Sequence, residues 1–387
     1  LVRSDSQDWL AKRGVDYDVP TYMPTLPREY YQSEEVYSEE VEKIFYRRWL
    51  MACREEEIPE AGDFVVVHVG DESIIVVRDK TGEINAHFNV CRHRGTRLCV
   101  AESGCFDAGA ITCPYHAWRY ELDGRLKAAP MMTEVEDFDK ANFGLHGAHV
   151  GLWGGFVFIN LAKEPVAFED ELAPLIGKFE DWRLPELRIA HRLEYTLDCN
   201  WKIILQNYQE CYHCPGVHPL LAKWTSFRGA EHDCLGGAVI GGYMTLTEEG
   251  GSMTMDGKAA APPVCDVSGD DLQRVHYYSV FPNLLLSPHP DFVLYHRIRA
   301  EGVDAVRNDC FFLLHPDVIA DAERMERFQS AIEFWDLTNR QDWQVCEQMQ
   351  QGLKSHRFTT GRYGPMEDVP YALDQEVLRA LGHERTT

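Results

Sequence analysis

Two short segments of the sequence each place one thiol and one imidazole within four residues, as Cys91-Arg-His93 and Cys113-Pro-Tyr-His116. Only 19 residues separate His93 from Cys113, so both segments belong to one small module. Two thiolates and two imidazoles can hold one tetrahedral Zn²⁺ ion. They can equally hold a [2Fe–2S] cluster, with the cysteines on one iron and the histidines on the other. The sequence therefore predicts two tight loops tied together by a metal centre.

A second group of chemically active side chains lies between Asn200 and Cys214, a stretch that we predict to be one helix. Asn is a residue type that caps helix N-termini, and Asn200 opens this stretch. Asn207, Glu210 and His213 follow at three-residue intervals, so neighbouring members share a side of the helix. The apolar residues at helical spacing, expected to face the core, are Trp201, Ile204, Leu205, Tyr208 and Tyr212.

His218 lies five residues after His213, which is about 140° away on a continuous helix and too far round for a shared ion. Pro215-Gly216 stands between them and is expected to break the helix, so that His218 can fold back towards His213. Two imidazoles and a carboxylate form the facial ligand set of O₂-activating non-haem iron(II) sites. The sequence therefore predicts a second metal site, whose carboxylate comes from elsewhere in the chain.

Composition excludes several classes of partner. The 387 residues carry a net charge of −24, which disfavours nucleic acid and anionic membrane surfaces. The longest apolar stretch, Val150 to Leu161, is interrupted by glycines and is shorter than the roughly 20 residues that span a bilayer. The 12 cysteines are too few for a disulfide scaffold, and several stand beside histidines. We expect metal-binding thiols in a reducing compartment, hence a cytoplasmic location.

The order of elements predicts an α+β protein. A helix is expected from Ser38, as its cap, to Trp49, and an all-β module from about 48 to 160. Glycine-rich connections are expected at about 227–270, and a closing helix from about Val318 to Gln351, capped by Gly352. The other predicted strands are Ala190 to Leu197, Tyr277 to Leu286, Phe292 to Arg299 and Asp309 to Leu314.

The two cysteine–histidine loops resemble those of the Rieske iron–sulfur domain in Rieske-type oxygenases. The resemblance rests on Cys91-Arg-His93-Arg-Gly and Cys113-Pro-Tyr-His116-Ala-Trp118. It implies that Cys91, His93, Cys113 and His116 bind a [2Fe–2S] cluster. Two neutral imidazoles in place of thiolates raise the reduction potential above that of all-cysteine clusters. Such a cluster can accept an electron from a separate reductase and pass it on.

Residues around the loops indicate which Rieske branch the chain resembles. Thr96 and Tyr115 stand where the respiratory branch carries an additional disulfide, so the match is to the oxygenase branch. Cys99 and Cys105 are not required by the pattern and are expected to be packing residues. The resemblance implies an antiparallel catalytic sheet flanked by helices, of the helix-grip type. The implied domains are an N-terminal segment packing on the catalytic domain at 1–47, a Rieske [2Fe–2S] domain at 48–160 and a catalytic domain at 161–387.

The same resemblance supplies the missing carboxylate. Rieske oxygenases carry an acid on a late helix, a few residues ahead of a Glu and a Gln-x-Gly-Leu, and this pattern places the acid at Asp342. Asp342 is therefore implied to join His213 and His218 as the third ligand of a mononuclear iron. Asp336 and Glu347 are the fallback carboxylates.

Glu210 matches a family acid that lies three residues ahead of the first histidine ligand. The resemblance implies that Glu210 connects the iron ligand His213 to a cluster histidine of a neighbouring subunit in a homotrimer. Asn207, one turn earlier, is expected to lie close behind the ligands. Carboxylates in such positions also orient ligand imidazoles.

The implied activity is that of a terminal oxygenase component, which uses O₂ and two electrons to hydroxylate a small molecule at mononuclear Fe(II). The electrons come from NAD(P)H through a separate flavin and iron–sulfur reductase. The stretch from Glu210 to Pro219 looks most like the branch acting on cationic quaternary ammonium compounds such as betaines, choline and carnitine, where N-methyl hydroxylation releases formaldehyde. Aromatic faces bind such cations. The candidate cage residues are Tyr277, Tyr278, Phe281, Phe292, Tyr295, Phe311 and Phe312.

Two alternatives remain at this level. An aromatic-ring dioxygenase or aryl O-demethylase would share both metal sites and differ in the lining of its pocket. A Rieske electron-transfer protein would need no second iron, so the residues around His213 would then form a merely structural site. Iron content and the product formed distinguish these alternatives.

Overall fold

The computed structural model describes residues 23–106, 108–247 and 251–383. It contains two compact units. One unit comprises Phe45–Phe168, and the described part of the other comprises residues 23–44 together with 169–383. The domain limits expected from the sequence stay predictions. Within the described ranges, no helix is both long enough and apolar enough to cross a membrane.

The first unit is built from short antiparallel strands, as the sequence predicts. Its strands are β1 Leu50–Arg54, β2 Asp63–Val69, β3 Glu72–Arg78, β4 Ile84–Phe88, β5 Ser103–Cys105, β6 Ile111–Thr112, β7 Arg119–Tyr120, β8 Leu126–Ala128, β9 Gly147–Trp153 and β10 Phe156–Asn160. They form a 7-stranded sheet in the order β1-β10-β9-β4-β3-β2-β5 and a 3-stranded sheet in the order β6-β7-β8. Ile74, Ile75, Val76 and Val77 of β3 are fully buried, because β-branched residues suit the middle of a covered sheet.

The second unit contains another 7-stranded antiparallel sheet, in the order β11-β17-β16-β15-β14-β13-β12. Its strands are β11 Arg188–Leu197, β12 Glu231–Gly236, β13 Val239–Thr245, β14 Arg274–Val280, β15 Leu284–Pro288, β16 Val293–Gly302 and β17 Ala305–Leu314. The α-helices of the described chain are α1 Glu29–Gln32, α2 Glu34–Glu40, α3 Phe168–Glu171, α4 Trp201–Tyr208, α5 Cys214–Val217, α6 Leu221–Trp224, α7 Pro316–Ile319, α8 Ala322–Leu353 and α9 Asp368–Leu381. The α+β class and the antiparallel catalytic sheet with flanking helices are confirmed.

The predicted ends of two helices are wrong. The first helix begins after Ser33, whose hydroxyl accepts from the Val36 amide, and it gives way to a π-helical turn at Val41–Phe45. Ser38 lies inside this helix because Glu34 and Glu35 already supply the acidic first turn. The late helix begins after Asp321, and Gly352 lies within its last turn rather than capping it.

A predicted loop and a predicted strand of the second unit are also wrong. The region at 227–270 contains β12 and β13, and Gly236, Gly241 and Gly242, which contributed to the loop prediction, are strand residues. A Cβ atom on Gly241 would lie 2.2 Å from the Tyr277 carbonyl oxygen, and one on Gly242 would lie 1.8 Å from the Glu231 carbonyl oxygen. Glycine is therefore required there by the close approach of neighbouring strands. The strand predicted from Tyr277 to Leu286 is two strands, separated by a turn that contains Pro282.

A buried ion pair fastens the N-terminal segment to α4. Lys202 Nζ lies 2.5 Å from Glu40 Oε1, and both side chains are fully buried. Trp201 Nε1 donates to Glu40 Oε2 at 2.8 Å, so both carboxylate oxygens are satisfied. Burial lowers the pKa of Lys202, but the adjacent Glu40 charge opposes this shift.

Lys202→Met is expected to lower the free energy of unfolding by about 3–5 kcal/mol, because it leaves the Glu40 carboxylate buried without its counter-ion. Lys43→Met is the matched control. Lys43 pairs with Glu39 while 43% exposed, so its loss is expected to change the stability by about 1 kcal/mol or less. Urea unfolding followed by tryptophan fluorescence compares the two variants. Equal effects would contradict a structural role for the buried pair.

Candidate functional site

The first predicted metal centre is built from two similar loops of the first unit. Cys91 follows β4, its amide donates to the Thr96 carbonyl, and the Gly95 amide donates back to the Cys91 carbonyl. Cys113 follows β6, its amide donates to the Trp118 carbonyl, and the Ala117 amide donates back. Gly95 and Ala117 have positive φ angles of 75° and 56°, which let each loop reverse within a few residues.

These loops bury the thiols and leave the imidazoles nearer to solvent. Cys91 and Cys113 are 3% and 2% exposed, whereas His93 is half-buried and His116 is exposed. The two imidazole rings lie 4.8 Å apart between centroids, and His93 stacks on Trp118. Burial raises the pKa of the Cys91 thiol, as expected for an inner ligand before metal binds. The donor set fits a [2Fe–2S] cluster whose cysteine-bound iron lies inside and whose histidine-bound iron lies outside.

A single zinc ion is a poorer fit for these four donors. Among the described residues, His213, His218 and Asp342 form a group of metal-binding side chains whose donor atoms all lie within 4.8 Å of one another. The four donors of the cysteine–histidine loops do not form such a group. The ligands of one tetrahedral zinc would lie about 3.5 Å apart and form such a group. The two-iron reading of the sequence is therefore the better supported of the two.

The two extra cysteines, Cys99 and Cys105, differ in burial. Cys99 is buried against the core of the first unit, as the packing interpretation predicts. Cys105 is exposed, so the same interpretation is wrong for it. The cause is that β5 is a short edge strand, with all three of its residues exposed.

Tyr120→Phe is expected to lower the reduction potential of the cluster. The Tyr120 hydroxyl lies 3.2 Å from Cys91 Sγ, and hydrogen bonds to ligand sulfurs stabilise the reduced state. One such bond of about 1 kcal/mol corresponds to about 40 mV for one electron. A potentiometric titration of the visible spectrum measures the change. Tyr115→Phe, which alters an exposed hydroxyl, is the control, and equal potentials in both variants would contradict a role for the Tyr120 hydroxyl.

The second predicted site lies beyond the end of α4. Asn200 caps this helix as predicted, by accepting from the Lys202 amide at 3.1 Å. The helix ends at Tyr208 rather than near Cys214. The chain turns because the Glu210 carboxylate accepts the Tyr212 and His213 amides, and such side-chain bonds compete with the helix.

Residues beyond this turn therefore correct several expectations. Glu210 and His213 do not share a helix face with Asn207. Tyr212 is 61% exposed rather than part of the core. Pro215 and Gly216 do not break a helix but lie inside the one-turn helix α5, because Pro is favoured in a first turn.

Cys211 and Cys214 flank His213 but do not offer free thiols. They are joined to each other by a disulfide. The expectation of metal-binding thiols beside this histidine is therefore wrong for this pair.

His213, His218 and Asp342 converge on one point. The two Nε2 atoms lie 3.2 Å apart, and Asp342 Oδ1 lies 3.2 Å from His213 Nε2 and 2.8 Å from His218 Nε2. Ligands bound to one ion at about 2.1 Å and at right angles would lie about 3 Å apart, so these spacings fit a common metal. His213 directly precedes the one-turn helix α5 and His218 directly follows it, whereas Asp342 comes from α8.

The outer nitrogens of both imidazoles have acceptors. His213 Nδ1 donates to Glu210 Oε1 at 2.5 Å, and His218 Nδ1 donates to Gln341 Oε1 at 2.9 Å. These bonds place a proton on each Nδ1, so the Nε2 atoms, which face Asp342, would be the nitrogens that bind a metal ion. Burial lowers the pKa of His213, but Asp342 and Glu210 outweigh burial and raise it to about 10. Burial raises the pKa of Asp342, but hydrogen bonds from His213 and His218 outweigh burial, so the pKa lies below its usual value.

The other carboxylates considered from the sequence are occupied elsewhere. Asp336 accepts from the Tyr195 hydroxyl and from Arg340 Nε, each at 2.9 Å. Glu347 accepts from the Asp198 amide. Sequence reasoning missed the role of Gln341, although it directly precedes Asp342 and both side chains reach His218.

A cavity lies beside this group. Its lining includes three aromatic residues, Tyr208, Tyr277 and Trp335, and two methionines, Met244 and Met253. The polar residues in its lining include Asn207, Glu210, His213, His218, Ser287 and Asp342. Three aromatic residues in the lining of one small cavity suit a small organic cation, which aromatic faces can hold.

Most of the predicted cage residues do not line this cavity. Tyr277 does, whereas the others belong to the buried core: Tyr278, Phe281, Phe292, Tyr295, Phe311 and Phe312. Trp335 was missed although Trp335, Thr338 and Asp342 follow the helical spacing i, i+3, i+7. That spacing places the tryptophan on the same face of α8 as the carboxylate.

A second cavity, of about 230 Å³, shares some of these lining residues. Asn207, Glu210 and His213 line both cavities. The remaining lining of the second cavity includes Gln206, Tyr363 and Glu367. Glu210 therefore borders a second cavity in addition to the one beside the triad.

Family models match both units of the chain. The Rieske [2Fe-2S] domain matches residues 48–139, and the catalytic domain of the ring hydroxylating alpha subunit matches residues 184–383. Together the matches cover the two cysteine–histidine loops and the group around His213, so each centre falls within a family of the corresponding chemistry.

Individual relatives cover nearly the whole chain. It is 32% identical over 375 residues to the glycine betaine monooxygenase oxygenase subunit of Pseudomonas aeruginosa, with 88% of this chain and 84% of that protein covered. It is 30% identical over 340 residues to the carnitine monooxygenase oxygenase subunit of Acinetobacter baumannii, covering 86% of each. A crystal structure of the quaternary ammonium Rieske monooxygenase CntA matches with a TM-score of 0.78 and 26% identity, over 95% of this chain and 97% of that one.

Proposed function

Because this chain belongs to the ring-hydroxylating alpha subunits of Rieske-type oxygenases, we propose that it oxidises an N-methyl group of a small quaternary ammonium compound. Membership of the family establishes a Rieske [2Fe–2S] cluster, a non-haem iron and dependence on a separate reductase. The substrate class is the further step, and the cavity beside His213, His218 and Asp342 is the observation that carries it.

The geometry supports the following assignment of residues to the two centres. Cys91, His93, Cys113 and His116 hold the cluster, and the triad of His213, His218 and Asp342 holds the iron. When bound, the iron supplies reductive O₂ activation at positions that three protein ligands leave open. Glu210 and Gln341 fix the tautomer of the two imidazoles.

The lining of the first cavity supports a cationic substrate. Aromatic rings attract a cation through their negatively charged faces, most strongly when water is excluded. Tyr208, Tyr277 and Trp335, which line the cavity, can present such rings. A trimethylammonium group held among the rings would direct one methyl carbon towards the triad. Hydroxylation of that carbon gives a carbinolamine, which loses formaldehyde.

The second cavity supports a route for the electron. Glu210 bonds to His213 on one side and borders this cavity on the other. We assign the cavity to the cluster loop of a neighbouring subunit, in a homotrimer, so that a cluster histidine meets the Glu210 carboxylate there. Glu210 and His213 would then connect that cluster histidine to the iron site.

A product screen tests the proposed function. Purified protein with a flavin and iron–sulfur reductase and NAD(P)H is expected to release formaldehyde from trimethylglycine, carnitine or choline. 3,3-Dimethylbutanoate, which has the shape of trimethylglycine without the positive charge, is expected to bind poorly. Formation of a diol from an arene, with no formaldehyde from any quaternary ammonium compound, would refute the proposal in favour of a dioxygenase.

Trp335→Leu is expected to raise KM for the quaternary ammonium substrate by about 3- to 30-fold, because the variant loses a cation–π contact of about 0.5–2 kcal/mol. The conservative variant Trp335→Phe keeps an aromatic face and is expected to recover part of the loss. Trp153→Leu, which alters a half-buried tryptophan of the other unit, is the matched control. Initial rates of formaldehyde release measure KM. An unchanged KM in Trp335→Leu would remove this ring from the cage.

A further inference from the structure

One wall of the first cavity is supplied by an irregular loop rather than by the sheet or α8. We define the cavity loop as residues 251–262. Met253 of this loop is fully buried and belongs to the lining of the cavity. Because the loop contains no helix or strand, its position depends on contacts with the rest of the unit.

A single carboxylate, that of Asp291, holds the loop on both sides of Met253. Ser252 Oγ donates to Asp291 Oδ1 at 3.0 Å, and the Ala260 amide donates to Asp291 Oδ2 at 2.6 Å. Asp291 is 3% exposed and lies in the short turn between β15 and β16. Burial raises the pKa of Asp291 to about 6, and bonds from Ser252 and the loop backbone oppose this rise. The side chain is therefore mainly ionised at neutral pH, and hydrogen bonds to an ion are stronger than neutral ones.

Other contacts hold the cavity loop against the elements that carry the site. The Met255 amide donates to Ser330 Oγ, and Arg327 Nε donates to the Ala259 carbonyl at 2.6 Å. Ser330 and Arg327 belong to α8, which also carries Trp335 and Asp342. Gly257 has a φ of 73°, and a Cβ atom there would lie 2.7 Å from the ring of Trp224. The cavity loop is therefore closely packed, and Asp291 supplies the carboxylate that binds both parts of it.

We propose that Asp291 is a positioning residue for the substrate: by joining both ends of the cavity loop, it sets how far Met253 enters the cavity and so limits the size of the ammonium group that fits beside the triad. The statement about substrate rests on the proposed function. The statement about the loop does not, and the two are tested separately.

The chemistry of Asp291 distinguishes its variants. In Asp291→Asn the amide oxygen can accept from Ala260 while the amide nitrogen donates to Ser252 Oγ, so both ends of the loop stay joined. Asp291→Ala removes both bonds, and Ser252→Ala removes one of them without disturbing the carboxylate. The expected order of loop mobility is therefore Asp291→Ala, then Ser252→Ala, then Asp291→Asn. Asp317→Ala, which removes an exposed carboxylate of α7, is the control.

Hydrogen exchange of peptides from residues 251–262 in the iron-loaded protein measures the loop without any substrate. Asp291→Ala is expected to exchange about tenfold or more faster, as for the loss of hydrogen bonds of about 1 kcal/mol each, while Asp291→Asn exchanges within about threefold of the original. Iron content and the visible spectrum of the cluster are expected to stay unchanged. If Asp291→Ala does not fold, Ser252→Ala decides the question. Equal exchange in all folded variants would overturn the role of Asp291.

Binding of tetramethylammonium and tetraethylammonium, followed by tryptophan fluorescence, tests the size limit without turnover. The original protein is expected to prefer the smaller ion, and Asp291→Ala and Met253→Ala to reduce this preference about tenfold, with KM for the methylated substrate raised more than kcat is lowered. A mobile loop with an unchanged preference would overturn the proposal. If neither ion binds the original protein, the proposed substrate class fails, whereas the exchange result still decides whether Asp291 holds the loop.

Discussion

His213→Ala is expected to abolish turnover while leaving the visible spectrum of the cluster unchanged. The variant removes one of the three donor atoms that lie within 3.2 Å of one another, and a histidine and a carboxylate alone hold iron(II) weakly. Loss of a residue that merely orients a ligand costs about 10- to 100-fold, so loss of the ligand is expected to exceed that range. Iron analysis is expected to fall from about three to about two atoms per chain.

His191→Ala is the control for this experiment, because it removes a half-buried imidazole of the same unit that belongs to neither centre. It is expected to keep all its iron and its activity. Full activity of His213→Ala would remove this residue from the ligand set. Loss of the cluster spectrum in the same variant would mean that the two centres are not held by separate residues.

Glu210→Gln is expected to slow electron transfer from the cluster by about 10- to 100-fold or more, even when iron is supplied at saturation. The carboxylate accepts from His213 Nδ1 with one oxygen and from the Tyr212 and His213 amides with the other. An amide can accept at only one of these positions, so the variant weakens the bond that orients His213. It also removes the negative charge that borders the second cavity.

Stopped-flow absorbance of the reduced cluster, mixed with O₂ and substrate, measures this electron transfer. Glu367→Gln is the matched control, since Glu367 lines the same cavity without bonding to a ligand histidine in the described structure. It is expected to behave nearly as the original protein. An unchanged rate in iron-saturated Glu210→Gln would refute the proposed route through Glu210.

Local patterns predicted the parts of the site that lie close together in sequence. The two cysteine–histidine loops reverse within a few residues, so their spacing alone indicates that the thiols and imidazoles meet. The meeting of His213 and His218 was anticipated for a different reason from the one observed. A Pro-Gly helix break was expected, whereas the helix ends earlier because Glu210 binds the Tyr212 and His213 amides.

Contacts across long distances in sequence were not accessible to the same reasoning. Asp342 was identified only through family resemblance, because no spacing rule relates it to His218, which precedes it by 124 residues. Most aromatic strand residues proposed for the cage face the core, since a covered sheet buries such side chains on both faces. Trp335 could have been found from its helical spacing to Asp342. The cavity loop had no such signal, because its position depends on Asp291.

A single turnover without reductase tests the central claim most directly, namely that the electron held at the Cys91/His93/Cys113/His116 centre is used at the His213/His218/Asp342 centre. Protein reduced in advance, freed of reductant and mixed with O₂ and the quaternary ammonium compound identified in the product screen is expected to form formaldehyde as its cluster absorbance returns to the oxidised form. In His213→Ala the cluster is expected to stay reduced for much longer, with no formaldehyde. Reoxidation at the same rate in both proteins, without formaldehyde from either, would contradict the account.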